Sequence, residues 1–345
     1  MTIDDSVFNK ICDIAGSENC SRAKEDLACY AYDATSSRYL PDAVVFPKEA
    51  GEVSEILKIA NVENIFIIPR GSGSGMTGGS VPIMGGVVIA MTRFNRIIEI
   101  DTDNLTAFVE PGVITARFHR EVEKLGLFYP PDPSSSEFST LGGNLAECAG
   151  GPRAVKYGVT RDYVLGLEAV LPTGEIIKTG VKTAKGVVGY DLTRLLVGSE
   201  GTLGVITQMT LKLLPLPESV RTMTASFNDL GKAAEAVSEI IRRGIVPRTI
   251  EFMDKASIIC VENYLKTNIS FGAGALLLIE VDGRTDEAES AIRRLEELCT
   301  LLGAGEIRIA GTREESAIIW KARKAISPAL FTYAPDKINE DIVVP

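Results

Sequence analysis

The sequence is poor in the residues that most often bind metals. His119 is the only histidine among 345 residues. A histidine-rich metal site is therefore excluded, and a Ser-His-Asp triad is possible only if it uses His119. His119 lies beside an apolar helical stripe in ITARFHREVEKLG, and we expect a structural or solvent-facing side chain. The six cysteines contain no C-x-x-C pair, which favours buried free thiols over a zinc or iron-sulfur centre. We therefore predict no metal site.

Positive charge and long apolar runs are also scarce. With 46 acidic and 36 basic residues the chain has a formal charge of -10, which gives no basic surface for nucleic acid. No apolar run approaches the roughly 18 residues that span a membrane. The N-terminus, MTIDDSVFNK, is acidic where a signal peptide is basic and apolar. We predict no nucleic-acid partner, no transmembrane segment, and a cytoplasmic protein, either free or peripheral to the membrane through a partner.

The length and pattern of the chain predict two domains of an α+β protein. Residues 1–218 read as short strands with interspersed helices, and Pro215 and Pro217 mark a boundary. Residues 219–345 follow the order β-α-β-β-α-β, which is typical of a ferredoxin-like antiparallel sheet covered by two helices. The last residues, Ile342 to Val344, read as the start of a strand with no polar tail after it, so we expect the second domain to be incomplete.

A glycine-rich loop, PRGSGSGMTGG, follows the predicted strand Ile65 to Ile68. Its glycines fit G-x-G-x-x-G, but a dinucleotide site of that type needs a helix directly afterwards, and Pro82 within a β-rich run excludes one. A Walker loop is excluded because no Gly-Lys-Ser/Thr follows. Two interpretations remain open for this stretch alone. It is either a backbone nest for a pyrophosphate, with Arg70 at its mouth, or a flexible hairpin loop.

Two further glycine-rich segments favour the first interpretation. STLGGNLAECAGG offers hydroxyls, an amide and close backbone approach, and GYDLTRLLVGSEGTLGVIT places three glycines immediately before a strand. Three such segments in one domain predict a single extended ligand that contacts all of them.

These segments resemble the FAD-dependent oxidoreductases of the vanillyl-alcohol-oxidase superfamily. Within it the chain is most similar to the FAD-binding subunits of glycolate oxidase and to D-lactate dehydrogenases. The resemblance covers nearly all of residues 40–218, and IWKARKAI and DKINEDIVVP extend it into the second domain. It implies a two-lobed, PCMH-type FAD-binding domain followed by a cap domain. Some members attach the flavin through a histidine in the first loop. Ser74 and Gly75 occupy that region here, which implies non-covalent FAD.

The resemblance also implies site residues. The cofactor-binding set is Arg70, Gly71, Ser72, Gly73, Ser74, Gly75, Met76, Thr77, Pro133, Ser136, Thr140, Gly143, Asn144, Gly151, Tyr157, Glu200, Gly201, Val205 and Ile206. In the cap, Arg323 matches the arginine that holds the substrate carboxylate, and Ser327 and Lys337 match its accompanying contacts. From the sequence pattern alone, Arg323 could equally be a surface charge on a helix. No catalytic residue is assigned.

The implied activity is oxidation of a D-2-hydroxy acid, D-lactate or glycolate. Hydride passes to flavin, and electrons leave to an iron-sulfur or other electron-transfer subunit instead of NAD. One departure matters, because the family's cap continues into a histidine-rich segment that supplies metal ligands and the general base, and these 345 residues contain no such segment. The alternative is therefore a non-catalytic FAD-binding subunit of a larger oxidase complex. A third reading, an enolpyruvyl-type reductase on the same scaffold, would require NADPH.

Overall fold

The computed structural model describes residues 3–35, 37–183, 185–266 and 272–342. The helices are α1 (Asp5–Ala15), α2 (Lys24–Cys29), α3 (Ala50–Glu63), α4 (Thr115–Glu123), α5 (Leu141–Glu147), α6 (Ala154–Tyr157), α7 (Leu192–Leu196), α8 (Leu230–Arg242), α9 (Lys255–Leu265), α10 (Thr285–Leu301), α11 (Arg313–Lys324) and α12 (Ile326–Leu330). Single 3-10 turns lie at Ser17–Asn19, Met91–Arg93 and Thr160–Tyr163.

The strands are of very unequal length. In chain order they are β1 (Cys20–Ser21), β2 (Ala43–Val45), β3 (Ile67–Arg70), β4 (Val87–Ala90), β5 (Ile97–Asp101), β6 (Thr106–Val109), β7 (Leu127–Phe128), β8 (Val164–Val170), β9 (Ile176–Gly180), β10 (Val205–Lys212), β11 (Leu214–Pro215), β12 (Ser219–Phe227), β13 (Thr249–Asp254), β14 (Ala275–Gly283) and β15 (Ile307–Ile309). Helices and sheets are mixed in the manner that defines an α+β fold, which confirms the predicted fold class.

The chain divides into two compact units that are not contiguous in sequence. The first contains Met1–Gly150, Val159–Pro215 and Ile338–Pro345, and the second contains Gly151–Gly158 and Leu216–Lys337. The predicted boundary at residue 218 lies close to one of these divisions. The predicted strand at Ile342 to Val344 falls largely on residues 343–345, which lie outside the described residues, and Ile342 itself is in no strand.

The first unit contains two main sheets. One has the order β1-β2-β4-β3, with β2, β4 and β3 parallel, and the other is the antiparallel sheet β5-β6-β10-β8-β9. Strands β2 and β4 read AVV and VVIA and are buried throughout, as expected for β-branched residues in parallel strands covered on both faces. Ile11 of α1 and Ile56 of α3 pack on this sheet.

Pairing with β4 sets the end of β3. Arg70 pairs with Ala90, so the strand covers Ile67–Arg70, and the predicted bounds, Ile65 to Ile68, are two residues too early. This shift has a consequence for the glycine loop, because Arg70 is fixed in the sheet instead of lying at the mouth of the loop.

The second unit is built on an antiparallel sheet of order β13-β14-β12-β15. Helices α8 and α10 cover one face, where Phe227, Ile240, Ile279 and Leu295 form a fully buried core. The order and the two covering helices confirm the ferredoxin-like prediction. A smaller cluster joins α9 and α11 to the sheet through Val261, Ala322 and Leu276.

The structure shows the burial of His119 and of the cysteines. His119 is buried, its Nε2 lies 2.9 Å from the carbonyl oxygen of Pro131, and its ring packs against Tyr129, so its role is structural. The expectation of buried thiols is only partly right. Three cysteines are buried and two are half-buried, whereas Cys29 is exposed.

Candidate functional site: a glycine-lined cleft

The three glycine-rich segments meet at one cleft in the first unit. The cleft has a volume of about 240 Å³ and is lined by the loop after β3, by α5 with the residues before it, and by the turn that leads into β10. Among the lining residues are fifteen of the nineteen predicted cofactor residues: Arg70, Gly71, Ser72, Gly73, Ser74, Gly75, Met76, Pro133, Thr140, Gly143, Asn144, Glu200, Gly201, Val205 and Ile206.

The loop after β3 presents a series of unpaired backbone donors. Among the described residues, the N–H groups of Ser72 through Thr77 donate to no other protein group. Gly73 and Gly78 have φ angles of 67° and 83°, which turn the chain in a way that other residues rarely adopt. Consecutive free N–H groups in such a turn form a concave anion-binding nest.

Arg70 supports this loop from below. Its side chain is buried, and its Nη1 donates to the carbonyl oxygen of Ser80 at 3.2 Å. A Cβ at Gly73 would lie 2.1 Å from Arg70 Nη2, so the guanidinium occupies the space beneath the turn. Burial lowers the pKa of Arg70, and the negative charge of Asp33 opposes that shift.

Asp33 is a loop-holding residue that the sequence analysis missed. Its buried carboxylate accepts hydrogen bonds from Thr35 N at 2.8 Å, from Thr35 Oγ1 at 2.6 Å and from Gly78 N at 3.1 Å. Ala34 N also donates to the carbonyl oxygen of Gly75 at 3.0 Å. The nest is therefore held by buried groups before any ligand arrives. The only sequence signal was an acid followed by Ala-Thr, which is common in turns.

The second segment forms a helix that the sequence analysis did not predict. Thr140 caps α5 by accepting from Gly143 N at 3.3 Å, and the amide of Asn144 donates to Thr115 Oγ1 at 2.7 Å. A Cβ at Gly142 would lie 2.4 Å from Pro111 Cβ, and one at Gly71 would lie 2.2 Å from Thr140 Oγ1. A side chain at either glycine would therefore force Pro111 or Thr140 to move.

The third segment ends in a turn with a left-handed residue. Glu200 has a φ of 54°, and its N–H donates to the carbonyl oxygen of Ala146 at 2.9 Å, while Gly198 N donates to Leu145 O at 2.9 Å. A non-glycine residue in this conformation costs free energy and persists because its surroundings fix it. The turn is thus docked on the C-terminal end of α5.

Glu147, the last residue of α5, faces the glycine loop. Thr77 Oγ1 donates to its two carboxylate oxygens at 3.1 and 3.2 Å. Burial raises the pKa of Glu147, and the negative charge of Glu200 raises it further. A cleft with a backbone anion nest therefore also carries two acidic side chains.

Four predicted cofactor residues do not line the cleft. Thr77 lies at its edge against Glu147, and Ser136 is buried, with its carbonyl oxygen accepting from Ala116 N at 2.9 Å. Gly151 and Tyr157 belong to the second unit, where the Tyr157 hydroxyl donates to Asp282 Oδ2 at 2.9 Å. Among the lining residues that were not predicted are Pro69, Met91, Pro111, Gly142, Glu147 and Gly204.

The predicted substrate residues lie in the second unit and already have partners. Arg323 pairs with Glu251 through a single oxygen, at 2.6 Å from Nε and 2.5 Å from Nη2. The Lys337 ammonium donates to Ser327 Oγ and lies 5.3 Å from the centre of the Phe331 ring. Within the described part of the chain Lys337 has no carboxylate partner, and burial lowers its pKa.

A second polar network lies on β14 of the same unit. Asp282 has a fully buried side chain and contacts Lys156 Nζ at 2.5 Å and Arg248 Nη1 at 3.1 Å, in addition to the Tyr157 hydroxyl. Glu280 accepts from Trp320 Nε1 at 2.5 Å. These carboxylates are compensated within the network, as buried charges require.

Comparison with known protein families adds an independent finding. Residues 41–180 match the model of the FAD binding domain, and residues 216–345 match the C-terminal domain of FAD linked oxidases. The chain belongs to the FAD-linked oxidase family. The recognised resemblance and the FAD cofactor of this family are thereby confirmed.

Named relatives of this FAD-linked oxidase are substantially longer. The glycolate oxidase subunit GlcD of Bacillus subtilis (strain 168) is 46% identical over 98% of this chain, which spans 72% of that relative. The D-lactate dehydrogenase of Anaerostipes hadrus is 37% identical over 88% of this chain and 66% of its own length. GlcD of Escherichia coli (strain K12) is 36% identical over 93% of this chain, which spans 64% of that relative. The chain thus spans about two thirds of the length of these relatives.

Solved structures show the same fold. An alkyldihydroxyacetonephosphate synthase matches with a TM-score of 0.79 at 21% identity, covering 97% of this chain and 65% of that one. A p-cresol methylhydroxylase matches with a TM-score of 0.80 at 19% identity, and the match covers 95% of this chain and 72% of that one. None of the described helices of this FAD-linked oxidase is long and apolar enough to cross a membrane.

The cleft fits the cofactor of the family. FAD carries a pyrophosphate, and beside that cleft the N–H groups of Ser72 through Thr77 have no partner among the residues that the structure describes. Gly142 and Gly71 let the cleft walls pack closely at positions where a Cβ would collide with Pro111 or Thr140. Donors for phosphate and bare backbone for close approach are what this ligand needs.

Proposed function

We propose that this protein oxidises a D-2-hydroxy acid, D-lactate or glycolate, with FAD as non-covalently bound cofactor. The observation that carries the proposal is 46% identity over 98% of the chain with a glycolate oxidase subunit. The glycine-lined cleft supports the cofactor part of the proposal. The non-catalytic FAD-binding subunit is the less favoured alternative, because relatives at 36% to 46% identity are named as oxidase subunits and dehydrogenases.

We infer that the loop from Arg70 to Thr77 holds the pyrophosphate through backbone N–H groups, while Arg70 keeps the loop in shape from below. Thr140, Gly143 and Asn144 on one side, with Gly201, Val205 and Ile206 on the other, line the rest of the cofactor. Bound FAD would supply an acceptor for the hydride that leaves C2 of the hydroxy acid. The domain assignment, 1–218 for FAD and 219–345 for the cap, belongs to the same proposal.

We further propose that Lys337 is the main ligand of the substrate carboxylate. Its ammonium has a hydroxyl and an aromatic ring as partners, but no carboxylate among the described residues, so its charge remains available to an anion. Arg323 contributes more weakly, since Glu251 already neutralises it. Glu251 occupies the Nε and Nη2 side of the guanidinium and leaves its Nη1 end for a ligand.

The chain's own residues leave the proton acceptor for the substrate hydroxyl unassigned. His119 is occupied by the carbonyl of Pro131 in the core of the first unit, which makes it a poor candidate. We propose that electrons pass to an iron-sulfur or other electron-transfer subunit, because relatives of this chain are themselves named as subunits. Such a partner would also locate a cytoplasmic protein at a membrane surface.

The decisive experiment is the visible spectrum of the purified protein, reconstituted with FAD and mixed anaerobically with D-lactate, L-lactate or glycolate. Bleaching of the flavin bands by one acid supports the proposal and identifies the substrate. We expect Lys337→Ala to lose this bleaching at substrate concentrations that saturate the wild type. Lys321→Ala, an exposed lysine of α11, is the matched control. A reconstituted flavin that no 2-hydroxy acid reduces or perturbs would contradict the proposal.

A further inference from the structure

The glycine-lined cleft has an unexpected charge balance. Its backbone suits an anion, yet the Glu147 carboxylate rests on the same loop, bonded to Thr77. A Cβ built on Gly75 or Gly79 would lie 3.4 or 3.5 Å from Glu147 Oε1, so this oxygen lies beside the loop that carries the nest. Glu147 would therefore be a close neighbour of any phosphate bound there.

A second carboxylate reaches the same point. The Gly79 Cβ position also lies 3.1 Å from Glu200 Oε2, and the left-handed backbone of Glu200 is fixed on α5 by its bond to Ala146. Neither carboxylate forms an ion pair among the described residues. The two acids are thus held near each other by backbone geometry rather than by a shared cation.

The other charged groups around the loop do not compensate the pair. Asp33 adds a third negative charge from the segment after α2. Arg70, from the end of β3, faces the loop within the electrostatic influence of Asp33, Tyr30 and Tyr32. Among the described residues named here, three acids therefore face one base before the ligand adds charge of its own.

A pyrophosphate diester brings two further negative charges. Beside such a ligand each nearby negative charge favours the protonated form of a carboxyl group. Glu147 is the carboxyl group that bonds to the loop, and burial and the charge of Glu200 already raise its pKa. One oxygen of a protonated Glu147 can still accept from Thr77 while the other donates.

We propose that the protein binds FAD together with one proton from solvent, held on Glu147, which then acts as a hydrogen-bond donor in the cofactor cleft. This inference rests on FAD binding, which the family establishes, and not on the identity of the hydroxy acid. Burial and Glu200 already raise the pKa of Glu147 in the free protein, and the charge of the bound pyrophosphate would raise it further in the complex. FAD affinity consequently falls as pH rises through the interval between the two pKa values, by up to about tenfold per pH unit.

The test uses apo-protein and FAD in phosphate-free buffers between about pH 6 and 8.5. Calorimetric titration at each pH, in two buffers of different ionisation enthalpy, gives both the dissociation constant and the number of protons taken up. For the wild type we expect uptake of up to about one proton and a dissociation constant that rises with pH. Glu147→Gln should remove both effects and bind FAD more tightly than the wild type at the alkaline end.

Two further variants sharpen the assignment. Glu200→Gln should retain proton uptake but move it to lower pH, because Glu147 loses its negative neighbour. Glu55→Gln, an exposed acid on α3, should behave like the wild type. Circular dichroism melts of each apo variant establish that it is folded, and proton uptake by the wild type is informative without any variant.

Three results would overturn the proposal. Absence of proton uptake in the wild type would mean that Glu147 remains charged in the complex. Loss of uptake in Glu200→Gln instead of Glu147→Gln would place the proton on the other carboxylate. Weaker FAD binding by Glu147→Gln at every pH would identify Glu147 as a charged acceptor for cofactor hydroxyls.

Discussion

The two units prepare for anions in opposite ways. In the first, the donors are backbone N–H groups of Ser72 through Thr77, fixed by buried groups and unpaired among the described residues. In the second, the donors are long side chains, and Arg323, Arg248 and Lys156 already have carboxylate partners. A backbone nest carries no net charge and needs no counter-ion in the absence of its ligand. A buried cationic side chain does need a counter-ion. Lys337 has no carboxylate partner among the described residues, and its proposed role rests on its half-buried position beside Ser327 and Phe331.

The largest expected effect tests the compensated network. Asp282→Ala removes the carboxylate that Lys156, Tyr157 and Arg248 share and leaves the buried guanidinium of Arg248 without it. We expect a loss of about 3–5 kcal/mol in the free energy of unfolding, measured by urea denaturation. Asp286→Ala, at an exposed position of α10, should change it by less than about 0.5 kcal/mol. Equal effects of the two variants would show that the network is not what stabilises the second unit.

The next effect tests the first unit's reliance on backbone. Gly142→Ala places a Cβ 2.4 Å from Pro111, so either α5 or the Pro111 turn must move. We expect a loss of about 1–3 kcal/mol in stability and a weaker FAD complex. In Gly51→Ala the new Cβ meets no atom within 4 Å, and because that glycine lies in α3 the change should stabilise slightly. Unchanged FAD affinity in Gly142→Ala would show that the cleft tolerates side chains there.

A pH profile tests the uncompensated lysine. Burial lowers the pKa of Lys337, so its charge, and with it the affinity for a 2-hydroxy acid, should decline at a lower pH than for an exposed lysine. Affinity is therefore full below the lowered pKa and falls by about tenfold per pH unit above it. Lys337→Arg keeps its charge throughout and should remove the decline. A wild-type profile that is flat into the alkaline range would exclude Lys337 as the anion ligand.

The smallest effect concerns the compensated arginine. Glu251→Gln keeps an oxygen for the Arg323 bond but removes the neutralising charge. We expect roughly threefold tighter binding of D-lactate or glycolate in spectral titrations, because this half-exposed pair is partly screened by solvent. Glu306→Gln, on an exposed ion pair, serves as control. Weaker binding by Glu251→Gln would mean that the carboxylate orients Arg323 more than it neutralises it.

The fold and the location of the cleft could be predicted from the sequence, but the arrangement of side chains inside the cleft could not. Glycines at Gly73 and Gly78 were readable because their residue type reports an unusual backbone. The burial of Arg70 was not, since it follows from pairing with β4 rather than from any local pattern. Helix α5 was missed because its first turn contains Gly142 and Gly143, which weaken helix propensity, and packing against Pro111 overrides that propensity.

Partners distant in sequence account for the remaining differences. The carboxylate opposite Arg323 lies 72 positions away, and Tyr157 bonds to Asp282, 125 positions away. A helical pattern cannot reveal which strand will face it. For the same reason Glu147 could not be paired with Thr77, 70 positions away, before the fold was known.

The order in which the chain visits its units limits how this protein can be rearranged. The polypeptide passes between the units after Gly150, Gly158, Pro215 and Lys337, and the short excursion at Gly151–Gly158 delivers Lys156 and Tyr157 to Asp282. Neither unit is consequently a cassette that one recombination event can exchange. In a chimera joined at Pro215 alone, residues 151–158 of this protein would have to pack against a cap domain taken from another protein. A graft must transfer residues 151–158 together with the rest of the second unit. Otherwise the position equivalent to Asp282, which binds Lys156 and Tyr157, has to be redesigned.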